Sequence, residues 1–106
     1  MGEKRFKSKK YEEIGMRLIQ TRPELAELYH SSAQIVFIES DKPKRSKGRV
    51  VYGECEKVSA KNQWAIGADF VVAIYTPNVN YMTEDQIEIL ILHELMHAGV
   101  KNDGDR

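Results

Sequence analysis

The stretch Thr83–Gly99, TEDQIEILILHELMHAG, constrains the fold most, because it has the features of one complete helix. Thr83 is a good N-cap, and Gln86 three residues later completes a capping box. Apolar residues fill most of the remainder, which predicts a buried helix that ends near Gly99. Two histidines and a glutamate lie inside this apolar run, and burying them without partners would cost several kcal/mol.

These three residues, His93, Glu94 and His97, form a His-Glu-x-x-His pattern. At about 100° per residue the two histidines lie one turn apart on one face, so both can reach an ion at the usual Zn–N distance of about 2 Å. Glu94 lies beside them, where it can accept a proton from a water that zinc has made acidic. The pattern is typical of zinc peptidases and predicts His93 and His97 as ligands and Glu94 as general base. The alternative is a pair of core histidines that hydrogen-bond to carbonyl groups.

Length and composition narrow the class of protein. The chain has 106 residues, which predicts a single domain over residues 1–106. Its formal net charge is zero, so total charge indicates no partner. The single cysteine, Cys55, excludes a disulfide framework and is predicted to be a small buried hydrophobe. Because the sequence shows neither a secretory signal nor an apolar run of membrane-spanning length, we expect a cytoplasmic protein without membrane contact.

The order of predicted elements gives the fold class. Helical spacing of apolar residues, and a proline at a first helical turn, predict two N-terminal helices at residues 11–20 and 24–29. β-Branched or apolar runs predict three strands at residues 34–39, 49–58 and 69–75. Short connections between strands favour antiparallel pairing. We therefore expect an α+β domain with a small, three-stranded, mostly antiparallel sheet, across which the buried site helix packs.

Two basic segments and one aromatic side chain have more than one interpretation. Residues 1–10 form a basic arm, predicted to be a solvated terminus, and residues 41–48 are predicted to be a solvated hairpin connection. Either segment could instead contact nucleic acid or an acidic protein, although no aromatic residue in the loop could stack on bases. Residues 59–63 are predicted to be a polar connection, followed by Trp64 and Ile66 as core or site-wall residues.

The sequence resembles the zincins, and within them the phage metallopeptidase family, with the SprT-like proteins as a neighbouring group. The resemblance extends from Glu54 to Gly99 and rests on four segments: Lys57-Val58-Ser59-Ala60-Lys61, Gly67-Ala68-Asp69-Phe70, Thr83-Glu84-Asp85-Gln86 and Ile91-Leu92-His93-Glu94-Leu95-Met96-His97. It implies a zincin-like fold and a zinc-dependent peptidase that acts on polypeptides, with His93 and His97 as ligands and Glu94 as general base.

The third metal ligand is not evident from the sequence. A catalytic zinc normally has three protein ligands and a water, and the resemblance implies a histidine downstream of the helix, but none follows His97. Asp103 lies ten residues after His93, the offset of the third ligand in the metzincin pattern, and Asp105 is a nearby substitute. Alternatively, His30 folds back toward the pair, or the ligand lies in a C-terminal segment that this chain lacks.

Two functions of different class follow from these observations. The first is a zinc peptidase whose extended substrate pairs with an exposed sheet edge, and in which Tyr75 or Tyr81 donates a hydrogen bond to the oxyanion. The second is an incomplete, non-catalytic zincin-like module that contacts nucleic acid or an acidic protein through its basic segments. The sequence does not distinguish zinc from other first-row metals and does not indicate an oligomeric state, although two imidazoles suit zinc best.

Overall fold

A computed structural model describes the backbone of residues 5–104 and the side chains of residues 5–100. The strands of this part are β1 (Arg5–Lys7), β2 (Ile35–Ser40), β3 (Lys44–Ser46), β4 (Arg49–Val51), β5 (Gly53–Lys57) and β6 (Phe70–Tyr75). The helices are α1 (Lys9–Thr21), α2 (Ala26–His30), α3 (Ala60–Ile66), α4 (Thr76–Val79) and α5 (Glu84–Gly104), with a 3-10 turn at Pro23–Leu25. The α+β class is confirmed.

The sheet has one strand more than predicted. Four strands lie in the order β1-β2-β6-β5, and β3 and β4 form a separate two-stranded hairpin. β2 pairs with β6 in parallel, whereas β1–β2 and β5–β6 are antiparallel. The predicted number of three strands was wrong, because Arg5–Lys7 adds β1 at the edge, whereas the mostly antiparallel pairing is confirmed. The one parallel pair forms because the chain leaves β2 through the hairpin and returns as β5, so that β6 inserts between them. The predicted strand 49–58 is divided at Tyr52 into β4 and β5.

The N-terminal segment is also more ordered than predicted. Arg5–Lys7 pairs with Ser40–Ile38 as β1, so this part of the basic arm is an edge strand rather than a solvated terminus. Ser8 then caps α1, and its hydroxyl accepts a hydrogen bond from the backbone N–H of Tyr11 at 3.2 Å. The first four residues of the predicted arm lie outside the described part of the chain.

The core lies between one face of the sheet and helices α1, α2 and α5. Phe37 from β2 packs there with alternate residues of the neighbouring strands, among them Val72 and Ile74. α5 buries only one stripe in this core, formed by Ile87, Ile91, Leu95 and Ala98. Ile89, Met96 and Val100 are exposed, so the prediction of a helix buried on all sides was wrong. Within the described residues, no helix combines the length and apolarity needed to cross a bilayer.

Two further local predictions were wrong. Residues 60–66 form α3 instead of a polar connection, and the side chains of Trp64 and Ile66 are 85% and 51% exposed instead of buried. α5 does not end near Gly99 as predicted but continues to Gly104. Gly99 has open space around it, and a single glycine costs a helix only about 1 kcal/mol relative to alanine, so it does not have to end the helix. The capping box is confirmed: Gln86 Oε1 accepts from the Thr83 N–H at 2.9 Å, and Thr83 Oγ1 accepts from the Gln86 N–H at 3.2 Å.

Candidate active site

α5 brings the two predicted histidine ligands together. The Nε2 atoms of His93 and His97 are 3.0 Å apart, and their rings are nearly perpendicular with centroids separated by 4.5 Å. Two nitrogens bound to one tetrahedral zinc at about 2.05 Å would be about 3.3 Å apart. Both side chains are exposed, so the pair fits two positions of a metal site that opens to solvent. The same distance suits an N–H···N hydrogen bond when no metal is bound.

Glu94 lies in the same turn, about 60° round the helix from His97, and is only 6% exposed. It faces β5 at Gly53: a Cβ added to this glycine would lie 3.6 Å from Glu94 Cγ, 3.2 Å from the Ala73 carbonyl oxygen and 3.0 Å from Ile74 Cδ1. A larger residue at this position would therefore crowd Ile74 and the Ala73 carbonyl and would be in ordinary van der Waals contact with the Glu94 side chain. Sequence reasoning missed Gly53, although a glycine within a strand often marks such a close approach.

A shallow groove of about 380 Å³ runs along β5 beside this turn. It is lined by four consecutive strand residues on one side, 53–56, and by Glu94 and His97 on the other. β5 is the last strand in the described sheet, so the groove follows a sheet edge. The buried Cys55 lies on its floor, as the prediction of a small buried hydrophobe requires.

Comparison with known proteins identifies the family. A family model described as "Putative phage metallopeptidase" matches residues 3–106, nearly the whole chain. The chain belongs to this family. No curated protein and no solved structure matches it significantly. Membership in a metallopeptidase family implies a metal ion and a polypeptide substrate, and the predicted resemblance to phage metallopeptidases is confirmed.

The described part of the chain does not contain a complete ligand set. Among the residues whose side chains the structure places, no group of three His, Cys, Asp or Glu residues could hold a metal ion. His30 ends α2 with its ring against Tyr29, at 5.5 Å between centroids, and does not join His93 and His97. The side chain of Asp103 and the whole of Asp105 lie outside the described part, so both stay predictions.

A charged network covers the opposite face of the sheet. The Tyr75 hydroxyl donates to Glu54 Oε2 at 2.8 Å, and Lys44 Nζ donates to Glu54 Oε1 at 2.6 Å. Arg5 donates to the Tyr75 hydroxyl at 3.3 Å, and its guanidinium lies 5.8 Å from the ring centroid. Burial raises the pKa of Glu54, but the hydrogen bonds from Lys44 and Tyr75 and the positive charges of Lys44 and Arg5 outweigh burial and hold this pKa below its usual value.

This network bears on the two tyrosines predicted as oxyanion donors. Tyr75 is fully buried, and burial together with its bond to Glu54 raises the pKa of its hydroxyl. Glu54 alternates with Gly53 along β5, so this network faces away from Glu94 and Tyr75 does not reach the groove on that side. Tyr81 is exposed, and its hydroxyl lies 3.4 Å from that of Tyr52.

Proposed function

We propose that the chain is a zinc-dependent peptidase with a zincin-like fold, formed as one domain by residues 1–106. The observation that supports this most is the pair of His93 and His97 Nε2 atoms, 3.0 Å apart, in the same helical turn as the buried Glu94, which lines a groove together with His97. Two imidazoles are good zinc ligands. The candidates for the third ligand are Asp103, Asp105 and a residue that this chain does not contain.

Each residue has a separate task in this proposal. His93 and His97 hold the metal, which when bound makes water acidic at neutral pH and polarises the scissile carbonyl. Glu94 accepts the proton of the attacking water and delivers it to the departing amine. Its position between α5 and Gly53 keeps the carboxylate at one place, so little reorganisation is needed during proton transfer.

The substrate in this proposal is an extended polypeptide. The groove follows the outer side of β5, and an extended chain laid there can pair with the strand through backbone hydrogen bonds. Main-chain pairing gives affinity with little dependence on sequence, whereas side chains along the groove set preferences.

The test is cleavage of an unfolded protein such as reduced casein, with and without added zinc. The parent chain is expected to cleave, and Glu94→Gln is expected to lose at least 100-fold in rate while retaining bound zinc, the scale of a lost general base. Glu84→Gln, an exposed carboxylate at the start of α5, is the matched control and should keep full activity. Absence of cleavage by the parent in the presence of zinc would instead favour the non-catalytic module that acts through basic segments, and equal measurable rates for the parent and Glu94→Gln would contradict the role of Glu94 as general base.

A further inference from the structure

We propose that the β3–β4 hairpin is a contact site for double-stranded DNA. The hairpin directly precedes β5 in the chain and forms a two-stranded sheet of its own, separate from the four-stranded sheet. This site uses none of the residues assigned to catalysis. Failure of the DNA-binding proposal would therefore not affect the peptidase proposal, and the reverse also holds.

The charge of the hairpin is of one sign. Residues 42–53 contain no carboxylate and five cations, Lys42, Lys44, Arg45, Lys47 and Arg49. Lys44 pairs with Glu54. Arg45, Lys47 and Arg49 are exposed, and their side chains have no ion-pair or hydrogen-bond partner among the residues that the structure describes. Three cations are therefore available to an anionic partner.

The register of the hairpin places these three cations on its two faces and at its tip. Lys47 and Gly48 form a two-residue turn with φ values of 52° and 78°, as in the type I′ turns that suit hairpins. Arg49 lies opposite Ser46, and Arg45 lies opposite Val50. Because cross-strand partners share a face and neighbours alternate, Arg45 and Arg49 lie on opposite faces, with Lys47 at the tip.

The base of the hairpin is fixed by side-chain bonds from the body of the domain. Asn78 Nδ2 donates to the Lys44 carbonyl at 3.1 Å and to the Val51 carbonyl at 2.8 Å, so one amide joins both strands. The Lys44–Glu54 pair at 2.6 Å ties the same end to β5. A solvated connection needs no such attachments. These bonds present the cationic tip in one orientation and reduce the entropy lost on binding.

Duplex DNA fits these features better than other anionic partners do. The major groove, about 12 Å wide, admits a two-stranded ribbon, and phosphates border it on both sides. Cations on both faces of the ribbon can therefore contact both strands. Residues 42–51 contain no aromatic side chain, so the stacking that supports single-strand binding is absent. An acidic polypeptide would present its charges along one line and leave one face of the ribbon unused.

The test is fluorescence anisotropy of a labelled 20-base-pair duplex of mixed sequence, titrated with the full chain at several salt concentrations. Three phosphate contacts predict a slope of log Kobs against log[salt] of about −2.7. Each single variant, Arg45→Gln, Lys47→Gln or Arg49→Gln, should reduce this slope by about 0.9. The triple variant should lose at least tenfold in affinity at low salt while thermal unfolding shows it folded.

The matched control is the triple variant Lys9→Gln, Lys10→Gln, Lys61→Gln, which removes the same charge from exposed positions outside the hairpin. It should bind within twofold of the parent. Equal losses in the two triple variants would overturn the proposal, because net charge alone would then explain binding. It is also overturned if the parent does not bind at low salt, or if polyglutamate of matched charge binds as tightly as the duplex.

Discussion

Gly53 and Glu94 face each other across the boundary between β5 and α5, and a Cβ on the glycine would lie 3.6 Å from the glutamate Cγ. The same Cβ would lie 3.0 Å from Ile74 Cδ1 and 3.2 Å from the Ala73 carbonyl oxygen. β5 therefore passes close to the Glu94 side chain at a position where a larger residue would crowd Ile74 and the Ala73 carbonyl. Gly53 on the edge strand β5 and Glu94, the proposed general base, are therefore direct neighbours.

Gly53→Ala tests that relationship. We expect an unfolding free energy about 1–2 kcal/mol lower, because the side chain must displace a buried isoleucine or a strand carbonyl. Peptidase activity should fall further than stability explains, since Glu94 moves with the strand. Denaturant unfolding and casein cleavage measure the two effects. Gly99→Ala, where an added Cβ meets nothing within 4 Å, is the control and should leave both unchanged or raise stability slightly.

Gly15→Ala should destabilise the protein although alanine is the better helix former. An added Cβ on α1 would overlap the ring of Phe37, which is 1% exposed and cannot swing away. Overpacking of about 1–3 kcal/mol exceeds the gain in helix propensity of about 1 kcal/mol. Thermal unfolding measures the result. If the ring is the obstacle, Gly15→Ala should cost less in a Phe37→Leu background; an equal cost there would contradict this explanation.

Ile91→Ala and Ile89→Ala compare two isoleucines two positions apart on α5. Ile91 is fully buried, so its truncation should cost about 2–5 kcal/mol of unfolding free energy, whereas Ile89 is 65% exposed and should cost less than about 1 kcal/mol. Urea unfolding of both variants measures the difference. Similar costs would mean that a second surface covers the exposed stripe of the helix.

The comparison of those isoleucines shows what the sequence could and could not predict about the site helix. The cap and the alignment of His93 with His97 follow from local chemistry and helical period, and both are present. The number of faces buried depends on how many elements pack around the helix, which apolar content does not determine. The stripe Ile87, Ile91, Leu95 and Ala98 is buried because α1, α2 and the sheet occupy one side only.

The sheet was predictable only in part, for a related reason. β2 and β6 were predicted within one residue of their observed ends, because continuous apolar or β-branched runs are strong local signals. Their parallel pairing depends on the path of the chain between them, which includes the hairpin, β5 and α3. β1 has no apolar signal of its own, since Arg5–Lys7 is basic at both ends and gains its order by pairing with β2.

The Glu54 network predicts a pH effect at the acidic end. Because the folded-state pKa of Glu54 lies below the ordinary value of 4.5, its stabilisation is present above that value and is lost as pH falls through the lower, folded value. Parent and Glu54→Gln should therefore differ by up to about 1 kcal/mol at pH 6–8, the range for a partly exposed pair, and this difference should disappear as pH falls through the folded-state pKa. Chemical unfolding across this pH range measures the gap.

High salt should reduce the difference in unfolding free energy between the parent and Glu54→Gln at neutral pH, because Lys44 is partly exposed and its charge is screened. Glu84→Gln provides the comparison, since that carboxylate is exposed at the start of α5. A gap that persists unchanged at pH 3 would show that the Glu54 carboxylate does not contribute through its charge.

Zinc binding is the most direct test of the account, measured as metal per chain after purification and as affinity by competition with a chromophoric chelator. The parent should hold close to one zinc, and His93→Ala and His97→Ala should each lose it, whereas His30→Ala should retain it. Loss in Asp103→Ala as well would identify the third ligand. A parent chain that binds no zinc, or a His97→Ala variant that binds it as tightly as the parent, would contradict the assignment of the His93–His97 pair as the metal centre.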